Sequence, residues 1–330
     1  MKPSLALFLA ALSLAGCAKS RLIPPAPKSY YVNGAPVSAA LQTAPEFSGV
    51  VMVGEKGETL FATAQGLADR EARRPLSLYD SWRWVSVAKM ATAILILQEV
   101  DKGRLSLDRT LAEQAPAFAG EPAGQATLRE VLQQTAGAGD SAAGPGSADA
   151  LITRLLEATS GKPLRDLFRE RIAAPAGLRG ADMATRPCEE RVKGYEDAAT
   201  PEPPANPAAN GAAGALCGPP RALQAFAAAV MAGKLISPPM RAEMRKSDPA
   251  LGHAGLGVLS YEAPLDGCPA PVALVERQGA IGGIETRLVM APATQRSLVI
   301  FSNRADVPLG ELRMQKGLAW SLASAAFCKI

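Results

Sequence analysis

The chain has 330 residues, 48% of them hydrophobic and 20% charged, with a formal charge of +4. That is globular composition, long enough for one large domain or two lobes. No basic run is interleaved with aromatics, one histidine and five cysteines show no ligand spacing, and no motif calls for a cofactor, which together argue against nucleic acid, metal or cofactor as partners.

The N-terminus reads as an export signal. Lys2 is followed by a short apolar run, Leu5 to Leu14, and then by Leu14-Ala15-Gly16-Cys17. The run is well short of the roughly 20 residues a spanning helix needs. It resembles a bacterial lipoprotein signal, residues 1–16, cleaved before Cys17 so that lipid can be attached there. The expected location is the cell envelope, on the periplasmic face of the outer membrane, with the lipid on Cys17 as the membrane contact. Residues 17–45, with Pro24, Pro25 and Pro27, read as a tether.

Val50 to Val53 and Thr59 to Thr63 are apolar runs separated by Glu55-Lys56-Gly57-Glu58, a hairpin pattern. Next come Trp82 and Trp84, read as core, and then Ser86-Val87-Ala88-Lys89, opening an apolar helix that ends near Gly103. Residues three apart share a helix face, so the Ser86 hydroxyl and the Lys89 amine can meet. The serine then sits at the first turn, where unpaired N–H groups and the dipole favour developing negative charge. The neighbours of Lys89 are nearly all apolar, and burial favours the neutral amine, which can accept a proton. Ser86 as nucleophile and Lys89 as base is the chemistry these residue types allow.

Further along, Thr127 and Glu130 form a capping box for the helix at Leu128 to Leu132. Ala136 to Gly146 reads as a loop, Ser147 as the cap of a helix over Ala148 to Thr159, and Leu164 to Ile172 as another helix. Thr200 to Ala215 reads as a Pro-rich surface loop and Pro220 to Ala232 as a helix. Strand patterns return at Leu256 to Tyr261, Val272 to Val275, Thr286 to Met290 and Ser297 to Phe301, before a closing helix at Gly310 to Ala326. The fold class is therefore α+β: an antiparallel sheet built from both termini (46–85 and 250–330), flanked by helices, with a mostly helical lobe inserted at about 104–245. Residues 46–330 form this domain. Cys188, Cys217, Cys268 and Cys328 remain after Cys17. An even count in an oxidising compartment suggests two disulfides, with three possible pairings. The pairing nearest in sequence is Cys188 with Cys217 and Cys268 with Cys328; the other reading is buried thiols.

Four stretches resemble the penicillin-recognising serine hydrolases, in the branch of class C β-lactamases, DD-peptidases and related esterases. They are Asp80 to Asp108, Leu128 to Gly137, Leu155 to Leu164, and Gly279 to Gly283 running on to Asn303. The resemblance covers about residues 46–325 and implies the β-lactamase/transpeptidase-like fold. It implies acylation of Ser86 with Lys89 as proton acceptor, and an oxyanion hole from the backbone N–H groups of Ser86 and Ala280. It also implies a substrate-binding stretch at Arg277-Gln278-Gly279, in which Arg277 could hold a carboxylate and Gln278 narrows the cleft. The family's Tyr-x-Asn is missing: Gly144-Pro145-Gly146 stands there, with Ser147-Ala148-Asp149 a faint echo read as a plain cap. Tyr195 replaces the missing tyrosine only if the fold brings it into the cleft, and His253 is read as structural. The implied activity is that of a serine hydrolase cleaving an amide or ester in a small molecule or peptide. The alternative is an impaired member that binds a peptidoglycan-like peptide or a partner without turnover.

Overall fold

The computed structural model describes residues 29–31, 34–134, 147–183, 192–203 and 216–330. The signal and lipidation segment, the loop at 135–146, most of the Pro-rich loop and Cys188 lie outside these residues. Among the described residues no helix is long and apolar enough to cross a membrane.

The principal sheet is antiparallel and built from both ends of the chain. Its strands, in chain order, are β1 (Ser29–Tyr31), β2 (Gly49–Glu55), β3 (Glu58–Gln65), β9 (Leu259–Ala263), β10 (Val272–Ile281), β11 (Ile284–Ala291) and β12 (Arg296–Ser302). They lie in the order β1-β3-β2-β12-β11-β10-β9. The N-terminal hairpin joins the C-terminal meander through β2 and β12, which pair from Gly49↔Ser302 to Glu55↔Arg296. Lys56 and Gly57 take positive φ (51° and 90°) at the β2–β3 turn, the geometry that suits tight hairpins. Two small sheets sit between these groups of strands: β4 (Leu67–Asp69) with β5 (Arg74–Pro75), and β6 (Trp82–Arg83) with β7 (Asp182–Met183) and β8 (Leu216–Gly218).

Each face of the principal sheet has its own core. Val275, Leu288, Met290, Val299 and Phe301 pack toward the Ala88–Asp101 helix and the inserted helices. Leu274, Val289, Leu298 and Ile300 pack toward the helices Ala35–Gln42 and Gly317–Cys328. The helix at Ala35–Gln42, with Val37 fully buried, and the pairing of β1 with β3 correct the expectation of a tether over residues 17–45: the fold takes up the chain from Ser29.

Three boundaries also move. The Leu256 to Tyr261 strand begins at Leu259, because Gly257 is left-handed (φ 72°) and fits against the Ala88–Asp101 helix, where a Cβ would lie 2.6 Å from Ala93 Cβ. The closing helix begins at Gly317 after a short 3-10 turn at Leu312–Met314. Strand β10 runs on to Ile281, six residues past the expected end. Both capping residues are in place: Thr127 with Glu130 form the reciprocal box, and Ser147 Oγ accepts the Ala150 N–H at 3.3 Å.

Cys268 and Cys328 are bonded across 60 residues, tying the β9–β10 connection to the last helix. Cys217 is also disulfide-bonded; its nearest expected partner, Cys188, lies outside the described residues.

Candidate active site

The chain enters the site along β6, which is anchored before it reaches Ser86. Trp84 N–H donates to Leu216 C=O at 2.9 Å, and its indole N–H to Gly218 C=O at 3.3 Å. Both tryptophans are fully buried, Trp82 against Phe301 and Trp84 against Phe226. Thr286 Oγ1 on β11 donates to Arg83 C=O at 3.1 Å. Val85 then takes φ +48°. A β-branched residue in that region stores roughly 1–3 kcal/mol of strain. The kink swings Ser86 out of the strand into a 3-10 turn, Val85–Val87, that feeds directly into the Ala88–Asp101 helix. Neither segment has a side-chain N-cap; the Val87 N–H is taken by Trp84 C=O and the Ala88 N–H by carbonyls of the turn itself, so the Ser86 N–H is the first-turn donor that faces whatever approaches Ser86. Lys89 follows one turn later, its Cβ within about 5–6 Å of that of Ser86 by helical geometry.

Strand β10 crosses over this turn, and its period of two decides what reaches it. Arg277 and Gly279 face Ser86. Arg277 Nε donates to Ser86 C=O at 3.1 Å and Nη2 to Gln134 Oε1 at 3.2 Å. Gly279 passes so close that a Cβ there would lie 2.4 Å from Ser86 N, a contact no side chain tolerates. Gln278 is turned to the opposite face, where it accepts from Arg287 and donates to Glu311 at 3.3 Å. It is therefore not placed to narrow the cleft; reading Arg277-Gln278-Gly279 as a linear motif hid the alternation. β9 pairs with β10 only from Val272 to Glu276. Among the described residues, Arg277 to Ile281 thus have a strand neighbour on the β11 side alone, and the exposed Ala280 lies on that open edge.

The surroundings of Lys89 differ from those expected. Its Nζ lies 3.6 Å from Asp149 Oδ2, with side chains only 20% and 8% exposed. Asp149 is the second residue of the Ala148–Ser160 helix. Within Ser147-Ala148-Asp149 the serine is spent as the cap, and the aspartate enters the site. Burial pushes the Asp149 carboxyl up from its usual range, against the opposing pull of Lys89 and Arg277. A cavity of about 20 Å³ lies between Lys89, Thr92, Gln134, Asp149, Gly257 and Arg277, room for about one water. The Gly144-Pro145-Gly146 stretch lies outside the described residues.

One contributor had no signal in the sequence. Glu202 reaches from the segment 192–203 and joins two parts of the site: one carboxylate oxygen accepts from the buried Arg83, the other from Gly283 N–H at 2.7 Å. It thereby ties the strand leading to Ser86 to the turn ending β10, where Gly282 takes φ +56° and a Cβ on Gly283 would lie 1.9 Å from Tyr195 N. Glu202→Ala is expected to lower the rate of Ser86 acylation roughly 10–100-fold, since small misplacements of reacting groups cost that much. It should also lower stability by about 1.5–3 kcal/mol, because a buried guanidinium loses one charged hydrogen-bond partner. Acylation kinetics and urea unfolding of the same variant check both.

The remaining candidates lie elsewhere. The Tyr195 hydroxyl accepts from Arg70 N–H at 2.6 Å and donates to Glu71 at 3.0 Å, so it does not stand in for the missing tyrosine. His253 sits in the turn before β9 with its ring against Tyr261. Asn303 Nδ2 donates to the carbonyls of Leu67 and Lys193, both at 2.9 Å, holding loops together. Among the described residues no group of three or more His, Cys, Asp or Glu is placed to hold a metal ion.

The family model described as Beta-lactamase matches residues 37–318. The chain is 39% identical over 94 residues to Esterase EstB of Burkholderia gladioli, covering 27% of this chain and 24% of the esterase. It is 29% identical over 184 residues to a D-aminopeptidase of Cereibacter sphaeroides, covering 45% of this chain and 36% of that protein. These alignments thus span well under two thirds of either relative. Among solved structures, EstCE1, a hydrolase with promiscuous acyltransferase activity, superposes with a TM-score of 0.71 at 20% identity, over 89% of this chain and 98% of that one. That likeness establishes the mixed fold with its antiparallel sheet.

Proposed function

The chain belongs to the beta-lactamase family, and from that premise we propose that it is a lipid-anchored serine hydrolase of the bacterial envelope that cleaves an amide or ester through an acyl-Ser86 intermediate. Ser86 Oγ attacks the carbonyl carbon while its proton passes to Lys89 Nζ. The oxyanion is met by the N–H groups of Ser86 and Ala280, main-chain donors that need no particular side chain. The leaving amine or alcohol takes the proton from Lys89, and water then releases the acyl group by the same route in reverse. Arg277, a fixed cation beside Ser86, is suited to an anionic group on the substrate. Esterase and aminopeptidase activity in the relatives supports the ester-or-amide class.

The observation that carries this reading is the seating of Ser86: a strained turn at a helix start, one turn before Lys89, with Gly279 of the open-edged β10 against its main chain. The test is to incubate the soluble chain from residue 18 onward with a fluorescent penicillin and with a simple aryl ester, and to weigh the intact protein. A single acyl adduct mapping to the Ser86 peptide is the expected result. The Lys89–Asp149 pair favours a second reading, a cleft that binds a cell-wall peptide without turnover. Reversible peptide binding with neither adduct nor turnover would establish it in place of the first.

A further inference from the structure

We infer that Asp149 is a positioning residue that keeps Lys89 an ammonium in the resting protein, and that Arg277 opposes it, so that these two charges together set the pH at which Ser86 becomes reactive. This rests on the serine-hydrolase reading for its consequence, although the charge relation itself does not. The geometry is specific. The Asp149 carboxylate and the Lys89 amine are 3.6 Å apart in a small pocket, both largely buried, and at that distance an opposite charge favours the charged amine. The wall formed by β10 supplies Arg277, whose guanidinium is fixed by Ser86 C=O and Gln134 Oε1 and borders the same cavity. A fixed cation there favours the neutral amine. The other described residues of the lining, Thr92, Gln134, Gly257 and the apolar Val131, Leu132 and Ile152 among them, carry no charge.

The consequence for Ser86 is a matter of proton balance. An ammonium has no lone pair and cannot take the serine proton. Lys89 must first release its own proton to water at the pocket mouth, which its partial exposure allows, and only then can it receive the one from Ser86 Oγ as the oxygen–carbon bond forms. The Asp149 carboxylate resists the first step and Arg277 assists it. Burial works against the Asp149 carboxylate, and the two cations facing it offset part of that cost.

Two substitutions therefore act in opposite directions. Asp149→Asn keeps size and hydrogen bonding while removing the charge. It should lower the midpoint of Lys89 deprotonation by at least about one pH unit, the scale of shifts caused by close charges. Ser86 acylation at neutral pH should then rise roughly tenfold, one pH unit being a factor of ten in the neutral form. Arg277→Gln should raise the midpoint. The charge of Lys89 is read directly from the ε-carbon resonance of ¹³C-lysine-labelled protein across a pH titration, assigned by its absence in Lys89→Met. Acylation by the aryl ester is followed in parallel. A midpoint that stays or rises in Asp149→Asn overturns the proposal, as does a fall in Arg277→Gln. If either variant fails to fold, the other still decides. Opposite resonance shifts with no acylation in any form would uphold the charge relation and reject the hydrolase reading. Acylation without the shifts would do the reverse.

Discussion

Ser86→Ala is expected to abolish the acyl adduct and all turnover, while Lys89→Met retains a slow adduct, reduced about 10²–10⁴-fold. The two differ because they remove different things. Without the hydroxyl there is no atom to acylate. Without the amine the nucleophile, the Ser86 N–H and the open edge of β10 remain, and only the positioned proton acceptor is gone, a loss of that order. Methionine matches the length of the lysine stem and keeps the apolar contacts. It also leaves Asp149 without the cation 3.6 Å away, which the carboxyl can answer by taking up a proton. Time-resolved mass spectrometry of both variants checks the contrast, and Lys89→Met acylating as fast as the parent would remove the lysine from the mechanism.

The largest loss of stability is expected from Arg287→Met, about 3–5 kcal/mol at pH 8 and distinctly less at pH 5. Arg287 is 1% exposed, with the buried Glu276 at 3.3 Å and Glu285 at 3.5 Å. Removing one member of a buried ion cluster leaves the other charges uncompensated, which costs on this scale. The sign of the pH dependence follows from Glu276. Burial raises its carboxyl above the ordinary 4.5, while Arg287 and the Tyr261 hydroxyl pull it down. A raised carboxyl binds its proton more tightly folded than unfolded. Its contribution is therefore fully present below about 4.5 and lost as pH rises through the folded value. Without Arg287 the folded value rises further, so the variant suffers most where Glu276 must ionise. Urea unfolding at the two pH values measures the difference, and Glu276→Gln in the same background should flatten it.

Local chemistry made much of this fold legible. The β2–β3 hairpin, the helix after Ser86, the Thr127–Glu130 box and the β11–β12 hairpin each carry their own period, cap or turn residues, and the structure has them where the pattern placed them. What was not legible depends on partners far along the chain. Two-residue strands such as Trp82–Arg83 show no period of their own; they exist because Leu216–Gly218 lies alongside. The Ala35–Gln42 helix is short, with Val37 and Leu41 its two large apolar side chains, and gains its place from packing against the last helix. At the site, Ser86 and Lys89 stood out because one turn of helix joins them. Asp149 was visible only as part of a capping pattern, since its approach to Lys89 depends on how two helices cross. Glu202, flanked by prolines in a loop, offered nothing until Arg83 and Gly283 were seen beside it.

The stretch of β10 beyond Glu276, bordered among the described residues by β11 on one side only, carries a further cost. Bare N–H and C=O groups in extended conformation are a template for any other extended chain, including a second molecule of the same protein. Arg277 stands on that stretch, and a charge there discourages self-association in the way gatekeeper residues do. Replacing it with an apolar residue to suit a different ligand would therefore risk clumping during expression, whatever it did for catalysis.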